Sequence, residues 1–159
     1  MRCTIREATP ADAPALVELV RRLTREDNGR DSLLTPTHLA KECFGSTARF
    51  SVLLAEQAGR AVGYAAFHRS YDTDHAAKGF YLQDLYVEPD VRRQGIGRTL
   101  LAAVARACQA DGGCYLFWNA LTSNAAARAF YRRIGAREEP VVTLTLQPDA
   151  LERLARDFS

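Results

Sequence analysis

The feature that most constrains this chain of 159 residues lies between residues 81 and 101. An apolar and aromatic run there leads into Pro89, a loop with Gly95 and Gly97, and a segment with helical periodicity. The order predicts a strand, a turn, a glycine loop and a helix. A helix N-terminus carries N–H groups without acceptors and the positive end of the dipole. Because glycines let an anion approach the backbone, we expect this segment to bind a pyrophosphate.

The rest of the pattern predicts alternating strands and helices around that segment, within a single domain over residues 1–159. Strands are expected at residues 3–6, 50–56, 60–68, 80–87, 114–119 and 141–146. Helices are expected at residues 9–25, 35–43, 95–110 and 124–134, and from residue 148 onwards. Residues 57–59 favour a hairpin turn, and residues 70–79 a polar connection. The fold class is therefore mixed α/β, with a strand–loop–helix crossover in its middle.

Composition and charge exclude several classes of protein. A net charge of +2 gives no global electrostatic case for a nucleic-acid partner. No window resembles a membrane span, and the first residues lack the apolar core of a signal peptide, so we expect a cytoplasmic protein without a membrane partner. The four cysteines and three histidines show no metal-ligand spacing, and no metal is expected.

Glycine spacing alone does not identify the anion. The loop lacks the third glycine of a Rossmann fingerprint and the Gly-Lys-Ser/Thr of a P-loop. A wider pattern is more specific, and it resembles the GCN5-related N-acetyltransferases (the GNAT superfamily). Two motifs carry the resemblance: Leu85-x-Val87-x-Pro89 followed by Arg92-x-x-Gly95-x-Gly97, and Asn124-x-x-Ala127-x-x-Phe130-Tyr131-x-x-x-Gly135-Ala136.

The resemblance covers essentially the whole chain and implies both fold and activity. The implied fold is a mixed, mostly antiparallel central sheet with flanking helices and a splayed central strand that binds acyl-CoA. The implied activity is direct transfer of the acetyl group from acetyl-CoA to a primary amine in a ternary complex. The resemblance also implies that the enzyme is a homodimer. The segments 70–72, 80–87 and 129–136 look most similar to diamine (spermidine/spermine-type) acetyltransferases, which favours a small-molecule amine such as a polyamine, diamine or basic amino acid.

Four alternatives stay open at this point. The acceptor could be a protein N-terminus or lysine, or the chain could be a CoA-binding regulatory module with weak catalysis or a nucleotide-binding protein that uses the same loop. The transferred acyl group could also be longer than acetyl.

The resemblance assigns most of the cofactor site. The loop would wrap the pyrophosphate through its backbone, with charge-assisted contacts from its arginines, and the preceding strand would pair with the pantetheine arm. The expected cofactor-binding residues are Leu85, Tyr86, Val87, Arg92, Arg93, Gln94, Gly95, Ile96, Gly97, Arg98, Asn124, Ala127 and Tyr131.

The catalytic assignment is less complete. The resemblance implies that Tyr131 protonates the leaving thiolate, for which a phenol is a suitable acid. Gln83 stands where the diamine enzymes generally carry a glutamate, and an amide cannot serve as a base. The base is therefore Asp84, a water chain ordered by Gln83 and Tyr81, or another group. Adjacent strand residues face opposite sides unless a bulge intervenes.

The expected substrate-binding residues are acidic or polar. They would attract a cationic acceptor by forming an acidic funnel together with Asp72. These residues are Glu26, Asp27, Gln83 and Asp84.

Overall fold

The computed structural model describes residues 3–156, which contain one five-stranded sheet and five α-helices. The strands are β1 (Cys3–Glu7), β2 (Ser51–Gln57), β3 (Arg60–Asp72), β4 (Ala77–Val87) and β5 (Tyr115–Phe117), in that spatial order. The α-helices are α1 (Ala13–Asn28), α2 (Pro36–Glu42), α3 (Ile96–Ala110), α4 (Ala125–Arg133) and α5 (Pro148–Arg156). β1 to β4 pair antiparallel and β5 joins β4 parallel, so the predicted fold class is confirmed.

The chain divides into two compact units, Met1–Ser123 and Asn124–Ser159. The first contains the whole sheet with α1, α2 and α3, and the second contains α4 and α5. A single domain over residues 1–159 stays a prediction.

The first helix begins later than predicted. The Asp12 carboxylate accepts hydrogen bonds from the Thr9 backbone and hydroxyl, at 2.7 and 2.8 Å, and pairs with Arg6. These bonds stabilise a 3-10 turn over Pro10–Asp12, and α1 starts only at Ala13. At its other end α1 stops at Gly29, which adopts the left-handed conformation that terminates helices.

The sheet also extends further than the sequence suggested. β3 continues to Asp72 and β4 starts at Ala77, so the expected polar connection over residues 70–79 shrinks to 73–76. The prediction failed because an antiparallel partner satisfies backbone groups even where the side chains are polar.

Two helical layers cover the two faces of the sheet. Alternate side chains of the central strands, including Tyr64, Ala66 and Tyr86, form one core cluster with residues of α1 and α2. Helix α3 packs on β2, β3 and β4 from the other face, where Phe67 and Phe80 stack at 5.2 Å. The residues of β4 therefore point alternately to two different layers.

Two predicted strands differ from the structure. β5 spans only Tyr115–Phe117 rather than residues 114–119, and residues 141–146 form no strand, so that prediction is wrong. The segment 141–146 has strand-like composition, but the described part of its own unit contains no second strand for it to pair with. The last residues of the tail, 157–159, lie outside the described part of the chain.

None of the helices within residues 3–156 has the length and apolarity needed to span a bilayer.

Candidate active site

The glycine loop, residues 92–98, is the candidate anion site and lies at the start of α3. Arg93 and Gly95 both adopt left-handed backbone conformations, with φ of 64° and 83°. A non-glycine residue in this region is uncommon and often marks a functional loop. Left-handed residues in a turn can direct successive N–H groups into one concavity, an arrangement that binds anions.

The first turn of α3 supplies the donors. The first helical hydrogen bond runs from the Thr99 amide to the Gly95 carbonyl at 3.0 Å. The N–H groups of Ile96, Gly97 and Arg98 precede that bond and have no intrahelical acceptor. Ile96 is buried, which anchors the turn, whereas Gln94, Gly95 and Arg98 are exposed. The geometry fits a pyrophosphate bound by the backbone.

The arginine side chains of the loop differ in whether they already form an ion pair within the protein. Within residues 3–156, Arg93 and Arg98 form no ion pair, so their charge is available to a ligand. The Arg92 guanidinium instead donates to both Glu26 carboxylate oxygens, at 2.8 and 2.7 Å, and to the Val87 carbonyl at 2.7 Å. In the protein alone Arg92 thus bridges the loop to α1, and its contact with the pyrophosphate stays a prediction.

The glycine loop offers a first prediction. Alanine at Gly95 meets no steric obstacle within 4 Å, but its left-handed φ costs a residue with Cβ about 1–2 kcal/mol. We expect Gly95→Ala to relax the loop in the free protein and to raise the KM for acetyl-CoA roughly 5- to 30-fold. Gly112→Ala, at the opposite end of α3, is the matched control, since Gly112 has a φ of 81° and equally open surroundings. Equal KM values for both variants, measured by thiol release, would contradict the assignment.

Next to the loop, β4 has an open edge. The parallel ladder with β5 joins Gly79–Tyr81 to Tyr115–Phe117 and ends there, while β4 continues to Val87. Beyond Tyr81, no strand of the described chain pairs with that side of β4. The open backbone at Leu85, Tyr86 and Val87 can pair with an extended amide-containing ligand, as the predicted splay of this strand would require.

A β-bulge resolves the orientation of the predicted catalytic pair. β3 and β4 pair Ala66 with Asp84 but Phe67 with Leu82, which leaves Gln83 as the extra residue. A bulge places two consecutive residues opposite one partner and re-aims their side chains. Gln83 and Asp84 therefore line the same cavity instead of facing opposite sides of the sheet.

That cavity, which we call the bulge pocket, has a volume of about 200 Å³. It lies between β4 and the α1/α2 layer. Its wall is mostly aliphatic and aromatic, and its polar side chains come from β3, β4 and the loop before α2. The lining residues are Leu16, Val20, Ser32, Leu34, Leu39, Phe50, Val52, Tyr64, Ala66, Gln83 and Asp84. A larger cavity, of about 440 Å³, lies near the C-terminal end of α3 and contains none of the predicted site residues.

The electrostatics of the bulge pocket favour a cation. Burial raises the pKa of Asp84, the Tyr64 hydroxyl lowers it by donating at 3.1 Å, and the Asp27 carboxylate raises it. Loss of water also raises the pKa of Asp27, and neighbouring Glu26 adds to the effect. Neither Asp27 nor Asp84 has a basic partner in the described chain, whereas Glu26 is neutralised by Arg92. Two uncompensated carboxylates thus act on one another near the pocket.

Tyr81, the other member of the predicted water chain, precedes the bulge. Its ring packs between those of His68 and Phe117, with centroid distances of 5.2 and 4.9 Å, and its hydroxyl accepts from the Asn119 amide at 3.4 Å.

Sequence reasoning missed the network that holds the end of β4. Glu88 is 4% exposed and forms an ion pair with Arg22. The Tyr86 hydroxyl donates to Glu88 at 3.2 Å and to Glu26 at 3.4 Å. Tyr64, which donates to Asp84, was missed too. The sequence did contain one indication for Glu88, since an acidic residue directly follows an apolar strand. No local pattern indicated that Tyr64 would donate a hydrogen bond to Asp84.

The second unit contains the remaining predicted residues. The Asn124 side chain caps α4 by accepting from the Ala127 amide at 3.0 Å, as predicted. Tyr131 lies in the last turn of α4, where its carbonyl accepts from the Ile134 and Ala136 amides, and its ring packs on Phe130 at 5.2 Å. The Asn124 cap therefore fixes the start of the helix that carries Tyr131.

No group of three or more His, Cys, Asp or Glu side chains within residues 3–156 is arranged to hold a metal ion.

Comparison with known proteins agrees with this geometry. Residues 15–136 match the acetyltransferase (GNAT) family. Thialysine N-epsilon-acetyltransferase from Bos taurus is 31% identical over 143 residues, which cover 84% of each chain. Aminoglycoside N(6')-acetyltransferase type 1 from Stenotrophomonas maltophilia is 35% identical over 155 residues, covering 92% of this chain and 96% of that protein.

Among solved structures, an integron cassette protein from the mobile metagenome of V. cholerae has the same fold. Its TM-score is 0.82 at 24% identity, and the match covers 98% of this chain and 99% of that one. The chain belongs to the acetyltransferase (GNAT) family and is an acetyl-CoA-dependent N-acetyltransferase.

Proposed function

We propose that this enzyme acetylates a primary amine of a small basic molecule, such as a polyamine, a diamine or a basic amino acid, by direct transfer in a ternary complex. The observation that carries the proposal is the bulge pocket, in which an aliphatic wall leads to the Asp84 carboxylate.

The size and lining of the pocket favour a short flexible amine. Its volume of about 200 Å³ is below the roughly 300–1,000 Å³ typical of drug-sized ligand sites. The side chains of Leu16, Val20 and Leu34 offer apolar surface to methylene groups. A chain of methylenes ending in an ammonium group matches this combination of apolar wall and carboxylate.

Charge supports the same acceptor class. Glu26 and Asp27 stand in the last turn of α1, where the negative end of the helix dipole makes carboxylates unfavourable. Arg92 compensates Glu26, but Asp27 has no such partner in the described chain. An unfavourable charge kept close to a second carboxylate is consistent with attraction of a cationic substrate.

We assign the base to Asp84. The acceptor enters as an ammonium ion and must lose a proton before its nitrogen attacks. Asp84 is the one carboxylate that lines the bulge pocket among the described residues, and its raised pKa suits proton transfer better than an ordinary aspartate would. Gln83 can orient the amine or a water molecule but cannot take the proton.

Acetyl-CoA supplies the activated acetyl group. The glycine loop would hold its pyrophosphate and the open edge of β4 its pantetheine amides, which orients the thioester by proximity. From the motif that they share with the family, we also propose Asn124 and Ala127 as cofactor-binding residues and Tyr131 as the acid that protonates the departing thiolate.

The similar proteins support a basic acceptor. The two relatives described above are named for acetylation of thialysine and of aminoglycosides, both of which carry amino groups. The small pocket favours the thialysine-like acceptor over the larger aminoglycoside.

An amine panel tests the proposal. We expect purified enzyme with acetyl-CoA to release CoA thiol with lysine, thialysine, ornithine or spermidine, and more slowly with an aminoglycoside. Hexanol and hexanoate serve as controls that share the alkyl chain but lack the amine. Turnover confined to peptide substrates would favour a protein acetyltransferase. Tight CoA binding without turnover on any amine would favour a regulatory module, a reading kept open by Gln83.

A further inference from the structure

We propose that Tyr64 is a positioning residue, whose hydroxyl orients the Asp84 carboxylate and sets the pH range in which that carboxylate accepts a proton. The inference rests on the proposed role of Asp84 as the base.

The Tyr64 side chain is held rigidly. The residue is 1% exposed and belongs to the core cluster formed with α1 and α2. Its backbone pairs with Tyr86 across the β3–β4 ladder, so its side chain reaches Asp84 diagonally on the same face. The hydroxyl donates to Asp84 Oδ2 at 3.1 Å, since an ionised carboxylate can only accept. A fixed donor thus meets a carboxylate that the bulge has aimed into the pocket.

The groups around Asp84 make the hydrogen bond from Tyr64 important for the protonation state of the carboxylate. From α1, Asp27 faces it as a like charge, and Glu26 lies beside Asp27 with its charge compensated by Arg92. From β4, the Tyr86 hydroxyl is directed to Glu26 and Glu88 rather than to Asp84. From the α2 side, the pocket presents Ser32 and apolar residues. Among the described residues, Tyr64 is therefore the one side chain that donates to Asp84.

Removal of the Tyr64 hydroxyl should change the pKa of Asp84 in a predictable direction. Tyr64→Phe keeps the ring and its packing but takes away the group that favours the ionised carboxylate. Burial and Asp27 both favour the protonated form, so the pKa of Asp84 rises further in the variant. A protonated Asp84 cannot act as a base, so activity is lost at pH values below the raised pKa and returns as the pH rises.

The pH profile of kcat/KM for the amine, measured with saturating acetyl-CoA, tests the proposal. We expect the acidic limb of the Tyr64→Phe profile to lie about one pH unit higher than that of the wild type. At pH values below this limb, kcat/KM of the variant is then about tenfold lower than that of the wild type. Tyr71→Phe, at the exposed end of β3, removes a hydroxyl without touching the pocket and should leave the profile unchanged. A loss that is equal at all pH values would show a merely structural role and overturn the proposal.

Two further measurements separate this inference from the proposed function. Carbon NMR of the Asp84 carboxyl, titrated without substrates, should show the same shift in Tyr64→Phe. An unchanged carboxyl titration would overturn the role of Tyr64 and leave the base assignment standing. A shifted titration with an unshifted kinetic limb would overturn Asp84 as the base. In an Asp84→Asn background, Tyr64→Phe should cost nothing more, because the tyrosine acts through the carboxylate.

Discussion

Asp84→Asn should lower kcat/KM for the amine by about 10²–10⁴-fold, the range that a positioned general base contributes. Asparagine preserves the shape and the hydrogen bond to Tyr64 but cannot accept the ammonium proton. Since the glycine loop is untouched, the affinity for acetyl-CoA should stay the same. The measurement is CoA thiol release with the best amine of the panel, together with calorimetric binding of CoA.

The sign of the pH dependence follows from the environment of Asp84. The pKa of Asp84 is raised by its surroundings. The base is therefore ionised and active only above an acidic limb of the pH profile that lies at a higher pH than an ordinary aspartate would give.

Asp74→Asn, in the exposed turn between β3 and β4, is the control for Asp84→Asn and should behave like the wild type. Gln83→Glu should restore part of the rate in the Asp84→Asn background, because both residues line the bulge pocket. An Asp84→Asn enzyme that keeps its full rate would transfer the role of base to another group.

Tyr131→Phe should have the second largest effect, a fall in kcat of roughly 10²-fold or more, in line with the contribution of a general acid. Phenylalanine keeps the ring packed on Phe130 but removes the proton that the departing thiolate needs. The KM for the amine should change little, because the phenol acts on the leaving group. Steady-state thiol release at saturating concentrations of both substrates measures the effect.

The alkaline limb of kcat distinguishes acid catalysis from packing. If Tyr131 is the acid, ionisation of its phenol should make the wild-type rate decline at alkaline pH, and the Tyr131→Phe rate should not decline there. If the variant loses activity but keeps that decline, another group is the acid and Tyr131 contributes only contacts.

The glycine loop and its helix were predictable because their signals are local. Gly95 is followed at once by the periodic apolar residues of α3, and its left-handed φ of 83° is a conformation that glycine adopts without strain. The Asn124 cap of α4 and the Thr35 cap of α2 could be predicted for the same reason, because a capping side chain accepts a hydrogen bond from a backbone amide three residues away.

The bulge was not predictable, because it arises from pairing between strands. Gln83 becomes the extra residue only when β4 aligns with β3, where Ala66 pairs with Asp84, which lies 18 positions later in the sequence. Sequence reasoning could say that a bulge would place Gln83 and Asp84 together, but it could not say that one exists. The donor to Asp84 is equally distant, since Tyr64 lies 20 residues earlier.

The role of Arg92 illustrates the same limit for charged side chains. A motif with arginines near a pyrophosphate loop predicts contacts to the anion, but it does not predict the pairing of the Arg92 guanidinium with Glu26, 66 residues away. Only the tertiary structure brings Glu26 to Arg92. The pairing gives Glu26 a basic partner, whereas Asp27 and Asp84 have none in the described part of the chain.

The most direct test is a crystal structure of the enzyme with CoA and a diamine that is acetylated in the panel. We expect the pyrophosphate to accept hydrogen bonds from the N–H groups of Ile96, Gly97 and Arg98. We expect the reacting nitrogen in the bulge pocket, within about 3.2 Å of Asp84 or one water molecule away. A diamine bound outside that pocket, with its nitrogen beyond the reach of Asp84, would contradict both the acceptor site and the assignment of the base.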